Sequence, residues 1–146
     1  MKISVHNRQR SVRVNPAWLR RIAPVALEKC LPCSADGRFA LRDLDEVEVS
    51  IVSDRVIADV HLRFMNIPGA TDVITFEHGE IIMSAQTAQR YGAGYGHSVD
   101  EELALYIIHG LLHLNGYEDA TAKEAAAMRR VQERVLRACL QSIPPL

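Results

Sequence analysis

The chain has 146 residues, a length sufficient for one domain with its own core. Of these residues 48% are hydrophobic and 24% charged, a composition that excludes general disorder. No run of about 18 apolar residues is present, which argues against a membrane-spanning helix. The net charge of −1 conceals an asymmetry, because residues 1–42 carry +7, residues 43–119 carry −11 and residues 120–146 carry +3. These basic flanks are either phosphate-binding surfaces or ordinary solvated faces.

The first third of the chain predicts a strand, a helix, a loop and a second strand. Ile3 and Val5 fall on one side of an alternating segment, and Pro16 suits the first turn of a helix. The predicted elements are a strand over 2–6, a helix from Pro16 to near Cys30, a polar loop over 33–45 and a strand over 46–52.

The middle of the chain predicts a second helix, a β-hairpin and a short third helix. Ser53 is a candidate N-cap for the second helix. Its apolar stripe comprises Val56, Ile57, Val60 and Phe64. The remaining predicted elements are strands over 72–76 and 79–84, a helix over 85–91 and a flexible loop containing the glycines at 92, 94 and 96.

Two capping boxes predict the helices of the last third. Ser98 with Glu101 opens a helix that is apolar almost all round and is therefore buried, and Gly116 ends it. Thr121 with Glu124 opens the last helix. We therefore expect a single α+β domain over 1–146, with a small mixed sheet packed against helices.

One segment of the buried helix indicates a metal site. His109 and His113 are four residues apart, so both imidazoles leave the same face of the helix. Gly116 allows the chain to turn back and bring Asp119 towards them. The resulting H-x-x-x-H-x-x-G-x-x-D has the ligand spacing of the metzincin pattern, with Asp in third place. Two imidazoles and one carboxylate suit one Zn²⁺ per chain with an open fourth position.

A purely structural role accounts less well for these three residues. A single histidine on an apolar face is usually a core residue satisfied by a hydrogen bond, but two of them on one buried helix both need polar partners. Asp119 would serve as a helix N-cap, except that Thr121 and Glu124 already supply a capping box.

The position after the first histidine is Gly110, where zinc peptidases of the H-E-x-x-H type carry the glutamate that acts as general base. A metallopeptidase is therefore the less favoured alternative. Glu118 lies nearby, but a surface glutamate in a turn is its simpler interpretation. No residue is assigned as the catalytic base, and a water held by Zn²⁺ is the expected reacting group.

Three ordered motifs resemble the bacterial YbeY family of zinc-dependent endoribonucleases. The segment from His109 to Tyr117 is similar to that family's histidine signature. The stretches Thr71–Phe76 and Gly79–Ser84 look like its T-D-V-L-S-F and G-D-I-x-I-S blocks. The resemblance covers roughly residues 46–119.

The resemblance implies a mixed sheet with helices packed over it and a zinc-bearing helix beside an open cleft. It implies cleavage of single-stranded RNA, in particular the maturation of the 3′ end of small-subunit rRNA, and a role in ribosome assembly. The implied partners are precursor rRNA and the small ribosomal subunit in the cytoplasm, with no membrane and no nucleotide cofactor. The lack of an apolar segment in residues 1–8 and the three cysteines fit a cytoplasmic protein.

This chain departs from the family pattern at two positions. The third ligand of the family is usually His, where this chain has Asp119, and the carboxylate would make the metal a weaker Lewis acid. The family commonly has Arg directly after the aromatic residue of the second helix, where this chain has Met65 after Phe64. Arg63 is therefore the nearest candidate for contacting substrate.

Both departures would also suit a second function. In that alternative the zinc is structural, and the chain is a non-catalytic assembly factor that binds RNA or the ribosome.

Overall fold

Four short strands form one mixed sheet in the computed structural model, which describes residues 1–145. The strands are β1 (Lys2–Asn7), β2 (Glu46–Val52), β3 (Val73–Phe76) and β4 (Glu80–Ser84). They lie in the order β1-β2-β4-β3. β1, β2 and β4 are parallel, whereas β3 runs antiparallel to β4 and forms one edge of the sheet. The predicted hairpin over residues 72–84 is thereby confirmed.

Five helices and a short 3₁₀ helix accompany the sheet. They are α1 (Pro16–Cys30), α2 (Asp54–Met65), α3 (Ala85–Tyr95), α4 (Val99–Leu114), α5 (Ala122–Ser142) and the 3₁₀ helix Ala40–Asp43. Parallel neighbours in a sheet need crossover connections, which here are α1 between β1 and β2, and α2 with β3 between β2 and β4.

The main core lies between one face of the sheet and the helices α1, α3, α4 and α5. Alternation along the strands sends Val49, Ile51 and Ile81 to this face, where each is fully buried. α4 lies at the centre of this layer, with Ile107 and Leu111 also fully buried. Each such side chain contributes about 1.5–3 kcal/mol by leaving water, so the helix is held rigidly against the sheet.

A smaller core covers part of the opposite face. Val52 and Ile82 of the sheet pack there against Ile57 of α2 and Ile74 of β3. Both cores belong to one four-stranded sheet, so the expected single α+β domain is confirmed.

The predicted helix N-termini are confirmed in atomic detail. The Ser53 hydroxyl accepts a hydrogen bond from the Val56 N–H. Both capping boxes are complete, with reciprocal hydrogen bonds between Ser98 and Glu101 and the equivalent pair at Thr121. Among residues 1–145, no helix combines the length and apolar character needed to cross a membrane.

Three details of the predicted elements were wrong. α3 continues through Gly92 and Gly94 to Tyr95, because these glycines adopt helical backbone angles, and only Gly96 turns left-handed. The loop over 33–45 contains the 3₁₀ helix. Of the apolar stripe of α2, only Ile57 is fully buried; Phe64 is 66% exposed because α2 covers only part of the sheet.

Candidate metal centre

The last two turns of α4 and the segment after it bring His109, His113 and Asp119 together. The two Nε2 atoms lie 3.0 Å apart, and each lies 3.6 Å from Oδ2 of Asp119. Two ligand atoms about 2.05 Å from a tetrahedral Zn²⁺ lie about 3.3 Å apart. The three side chains could therefore hold one metal ion.

The hydrogen bonds on the far side of each ring fix which nitrogen faces the centre. Nδ1 of His113 lies 2.8 Å from the carbonyl oxygen of Tyr117, which can only accept. Nδ1 of His109 lies 2.7 Å from Oε1 of Gln132 on α5. Both Nδ1 atoms therefore donate protons, and both Nε2 atoms present lone pairs to the same point. Two lone pairs 3.0 Å apart cannot hydrogen-bond to one another, so this arrangement suits a shared cation.

Burial favours the neutral form of His109. Burial lowers the pKa of His109, with a further contribution in the same direction from the neighbouring His113. The side chains of His109 and His113 are 24% and 23% exposed, whereas that of Asp119 is 49% exposed. The centre thus has two partly buried imidazoles in its wall and one carboxylate towards solvent, and neutral imidazole is the form that binds metal.

Asn115 and Gly116 hold the turn that returns the chain to Asp119. The buried Asn115 amide donates to the carbonyl of Cys30 and accepts from the N–H of Leu41, which ties the turn to α1 and the 3₁₀ helix. Gly116 has φ of +98°, and a Cβ there would lie 2.6 Å from the carboxylate of Asp36. Only glycine satisfies both the backbone angle and this close approach.

The position of Gly110 bears on the metallopeptidase alternative. It faces β4, where a Cβ at this position would lie 2.7 Å from Cδ1 of Ile81. A glutamate at this position would point into the sheet, where it could not act as a base on the metal side of the helix. The structure therefore gives this alternative no support.

The metal centre opens into a half-open groove of about 900 Å³. Its walls come from residues 36–44, the C-terminal half of α2, β3 and the end of α4. Six carboxylates line it, namely Asp36, Asp43, Asp72, Glu77, Glu118 and Asp119. Arg38 is the single Lys or Arg among the lining residues that the structure describes. The groove therefore favours a cation and accepts an anionic substrate only where charge is neutralised.

Asp72 is a lining carboxylate that the sequence patterns left without a role. Its Oδ1 accepts hydrogen bonds from the backbone N–H of Val73 at 2.7 Å and from the hydroxyl of Thr71. Its negative charge also raises the pKa of His109, although less than burial lowers it. Asp72 is thus a fixed anion beside the centre.

Four further residues around the groove were also missed by sequence reasoning. His61 and Met65 line the groove from α2, and Arg38 lines it from the loop before the 3₁₀ helix. Gln132 reaches the centre from 23 residues away in sequence. The i, i+4 spacing of His61 and Met65 was the available signal for a shared face, whereas nothing in the sequence marked Arg38 or Gln132.

Arg63, predicted to contact substrate, lies on another side of α2. Its guanidinium is exposed and pairs with Asp59 at 3.7 Å. It is not among the lining residues of the groove, although its neighbours His61 and Met65 are.

Comparisons with known proteins identify relatives over most of the chain. The family model described as Endoribonuclease YbeY matches residues 4–139. Proteins named Endoribonuclease YbeY from Mycobacterium tuberculosis and Mycobacterium bovis are 32% identical over 124 residues, covering 68% of this chain and 70% of theirs. The one from Mycolicibacterium smegmatis is 31% identical with the same coverage.

The fold has a solved counterpart as well. The solution structure of TM1509 from Thermotoga maritima matches with a TM-score of 0.65 and 21% identity, covering 96% of this chain and 90% of that one. The match to the family model spans most of the sheet, α4 and the three candidate ligands, and by it and the sequence relatives this chain belongs to the endoribonuclease YbeY family.

Proposed function

We propose that this chain is a zinc-dependent endoribonuclease that cleaves single-stranded RNA and acts in rRNA maturation, at the 3′ end of small-subunit rRNA. The observation that carries the proposal is the convergence of three ligand atoms, from His109, His113 and Asp119, in an open groove of a YbeY-family chain. Two nitrogens and one carboxylate form an established catalytic zinc set with an open position.

The residues of the metal centre would have two roles, holding the ion and orienting its ligands. His109, His113 and Asp119 would hold one Zn²⁺, whose chemistry is to neutralise charge developing on phosphorus and to polarise the attacking oxygen. Gln132 and the Tyr117 carbonyl keep the two rings oriented through their Nδ1 protons.

Binding of the RNA backbone requires basic groups outside the acidic groove. α5 carries four exposed arginines, namely Arg129, Arg130, Arg134 and Arg137. Within residues 1–145, none of these arginines lies within 4 Å of a carboxylate. Unpaired arginines are free to bind phosphates. Arg38 would contact the phosphate closest to the metal, since it lines the groove. Arg63 remains a proposed substrate contact on the outer side of α2.

The proposed setting is the cytoplasm, with precursor rRNA and the small ribosomal subunit as partners. The family membership supports this setting, and the exposed arginines of α5 suit a substrate bound through its phosphate backbone.

The test is cleavage of a labelled single-stranded RNA by the purified chain. We expect cleavage that stops with a chelator, returns with Zn²⁺ and is absent in His109→Ala, whereas duplex RNA stays intact. An oligonucleotide with deoxyribose at every position separates two mechanisms, because cleavage of it excludes attack by the RNA 2′-OH. A chain that retains one zinc and binds RNA without cutting it would instead be the non-catalytic assembly factor.

A further inference from the structure

Three aromatic rings form a row on the surface beside the metal groove, and we refer to Phe64, Phe76 and His78 as the aromatic row. The rings of Phe64 and Phe76 meet edge to face with centroids 5.4 Å apart. His78 stacks on Phe76 at 5.7 Å with 25° between the planes. The row therefore joins the end of α2 to the turn between β3 and β4.

Core packing accounts for only one member of this row. Phe76 is half-buried and packs against the small core under α2. Phe64 is 66% exposed, and the side chain of His78 is 71% exposed. Both outer rings thus present their surface to solvent, where they add little to the stability of the fold. A flat exposed ring fixed edge-on by a neighbour is instead suited to stacking with another flat ring.

The aromatic row begins where the groove ends. Thr75 pairs with Ile81 in the sheet, so it faces α4, and it lines the groove together with Glu77. Phe76 lies between these two residues and must face the opposite side of the same strand. Because β3 is an edge strand, a chain leaving the groove can pass over this edge onto the row. Met65, which follows Phe64, lines the groove at the same rim.

We propose that the aromatic row is a binding site for the bases of single-stranded RNA, which stack on Phe64 and His78 while the scissile phosphate lies at the metal centre. This inference rests on the proposed function for its substrate. Single-stranded RNA is bound in this manner elsewhere, with splayed bases on aromatic side chains.

The charges around the row favour bases over phosphates. Glu77 lies between Phe76 and His78 in sequence, and Glu80 lies 3.3 Å from Nε2 of His78. Carboxylates at this rim repel the phosphate backbone but not the neutral faces of bases. Stacking is also tolerant of sequence, because every base presents an aromatic face. The site would therefore add affinity for unpaired bases without selecting among them.

The test compares binding of a ten-nucleotide single-stranded RNA with binding of an abasic oligonucleotide of the same length and charge, by fluorescence anisotropy. Phe64→Leu keeps an apolar side chain and removes the ring, whereas Phe64→Trp keeps a ring. Leu62→Ala is the matched control, since Leu62 lies on the same helix and is 53% exposed. Phe64→Leu is expected to weaken binding of the RNA by about fivefold or more, whereas Phe64→Trp and Leu62→Ala bind as the wild type does. Binding of the abasic oligonucleotide should be equal in all four proteins.

The possible failures are distinguishable. Equal RNA binding by Phe64→Leu and the wild type overturns the inference, and the exposed rings would then be assigned to a protein partner. If Phe64→Leu and Leu62→Ala weaken binding equally, the effect is general hydrophobic contact and the inference is also wrong. Because the readout is binding, a chain that binds in a ring-dependent manner without cleaving RNA sustains this inference and overturns only the proposed function.

Discussion

Gln132 of α5 accepts a hydrogen bond from His109 of α4, with 2.7 Å between Oε1 and Nδ1. The bond fixes the ring of His109 and directs its other nitrogen to the metal centre. Residues that orient a metal ligand in this way typically change metal affinity about 10- to 100-fold when they are replaced. α5 thus contributes to the centre without supplying a ligand.

Replacement of Gln132 by Ala should lower zinc affinity by about 10- to 100-fold, as measured by competition with a chromophoric chelator. The ring of His109 would lose its acceptor and become free to rotate. Gln141→Ala is the control, because Gln141 is exposed on the same helix. Unchanged affinity in Gln132→Ala would show that packing alone orients His109.

Asp119→Ala should lower the zinc content well below the one ion per chain expected of the wild type, as measured by elemental analysis of proteins purified side by side. Among residues 1–145, the variant removes the one carboxylate within 3.6 Å of both Nε2 atoms. Glu118→Ala changes the neighbouring carboxylate of the same groove and should keep its zinc. Equal zinc in Asp119→Ala and the wild type would limit the ligand set to the two histidines.

Two glycine substitutions should act in opposite directions on stability. Gly110→Ala places a methyl group 2.7 Å from Ile81 between α4 and the sheet, and such overpacking costs about 1–3 kcal/mol. Gly94→Ala has open space around the new Cβ within a helix, so it should stabilise the fold by about 0.5–1 kcal/mol. Urea unfolding of both variants measures whether each substitution lowers or raises the free energy of unfolding. A stable Gly110→Ala would mean that α4 can move away from β4.

Asp54 should make the fold sensitive to acid. Burial raises the pKa of this carboxyl, but hydrogen bonds from Ser84, Thr87 and Arg90 outweigh burial, so the pKa lies below its usual 3.8. A depressed folded-state pKa gives stability that is fully present above 3.8 and is lost as the pH falls through the folded-state value.

Asp54→Ala should therefore destabilise the protein at neutral pH by about 2 kcal/mol, since it removes several hydrogen bonds to a charged group. The difference from the wild type should shrink below pH 3.8, the usual pKa of the group. Unfolding free energies measured from neutral to acidic pH test this. A difference that stays constant over the whole range would show that the charge of Asp54 does not contribute to stability.

Arg38→Ala should slow RNA cleavage more than Arg63→Ala, because Arg38 lines the groove and Arg63 lies outside it on α2. Loss of a phosphate contact should also reduce the dependence of RNA affinity on salt. Cleavage rates and binding at several salt concentrations measure both effects. If Arg63→Ala is the slower enzyme, the substrate passes along α2, as the resemblance to the family implies.

Local patterns were sufficient to predict most elements of this fold. The capping boxes at Ser98 and Thr121 placed the last two helices correctly, because a cap depends on a few adjacent residues. Gly92 and Gly94 predicted a loop, but the helix α3 continues through them. Glycine weakens a helix without excluding it, and here the packing of α3 against α4 stabilises the helix. The exposure of Phe64 depended on how far α2 extends over the sheet, which periodicity does not encode.

In the candidate site, too, some residues could be predicted from local patterns and others could not. His109, His113 and Asp119 lie within eleven residues of sequence, so their approach follows from helix geometry and one glycine turn. Arg38 and Asp72 reach the groove, and Gln132 reaches His109, through tertiary packing. Their approach depends on the sheet order and on the way α5 lies against α4, which no local pattern contains.

The placement of the three ligands within one short segment has a consequence for motion. They come from one segment of eleven residues, whereas α2 lines the same groove with residues from another part of the chain. A displacement of α2 would therefore change the width of the groove and leave the distances between the three ligand atoms as they are. The loop over residues 36–44 lacks this independence, because the N–H of Leu41 donates to Asn115 in the turn that leads to Asp119.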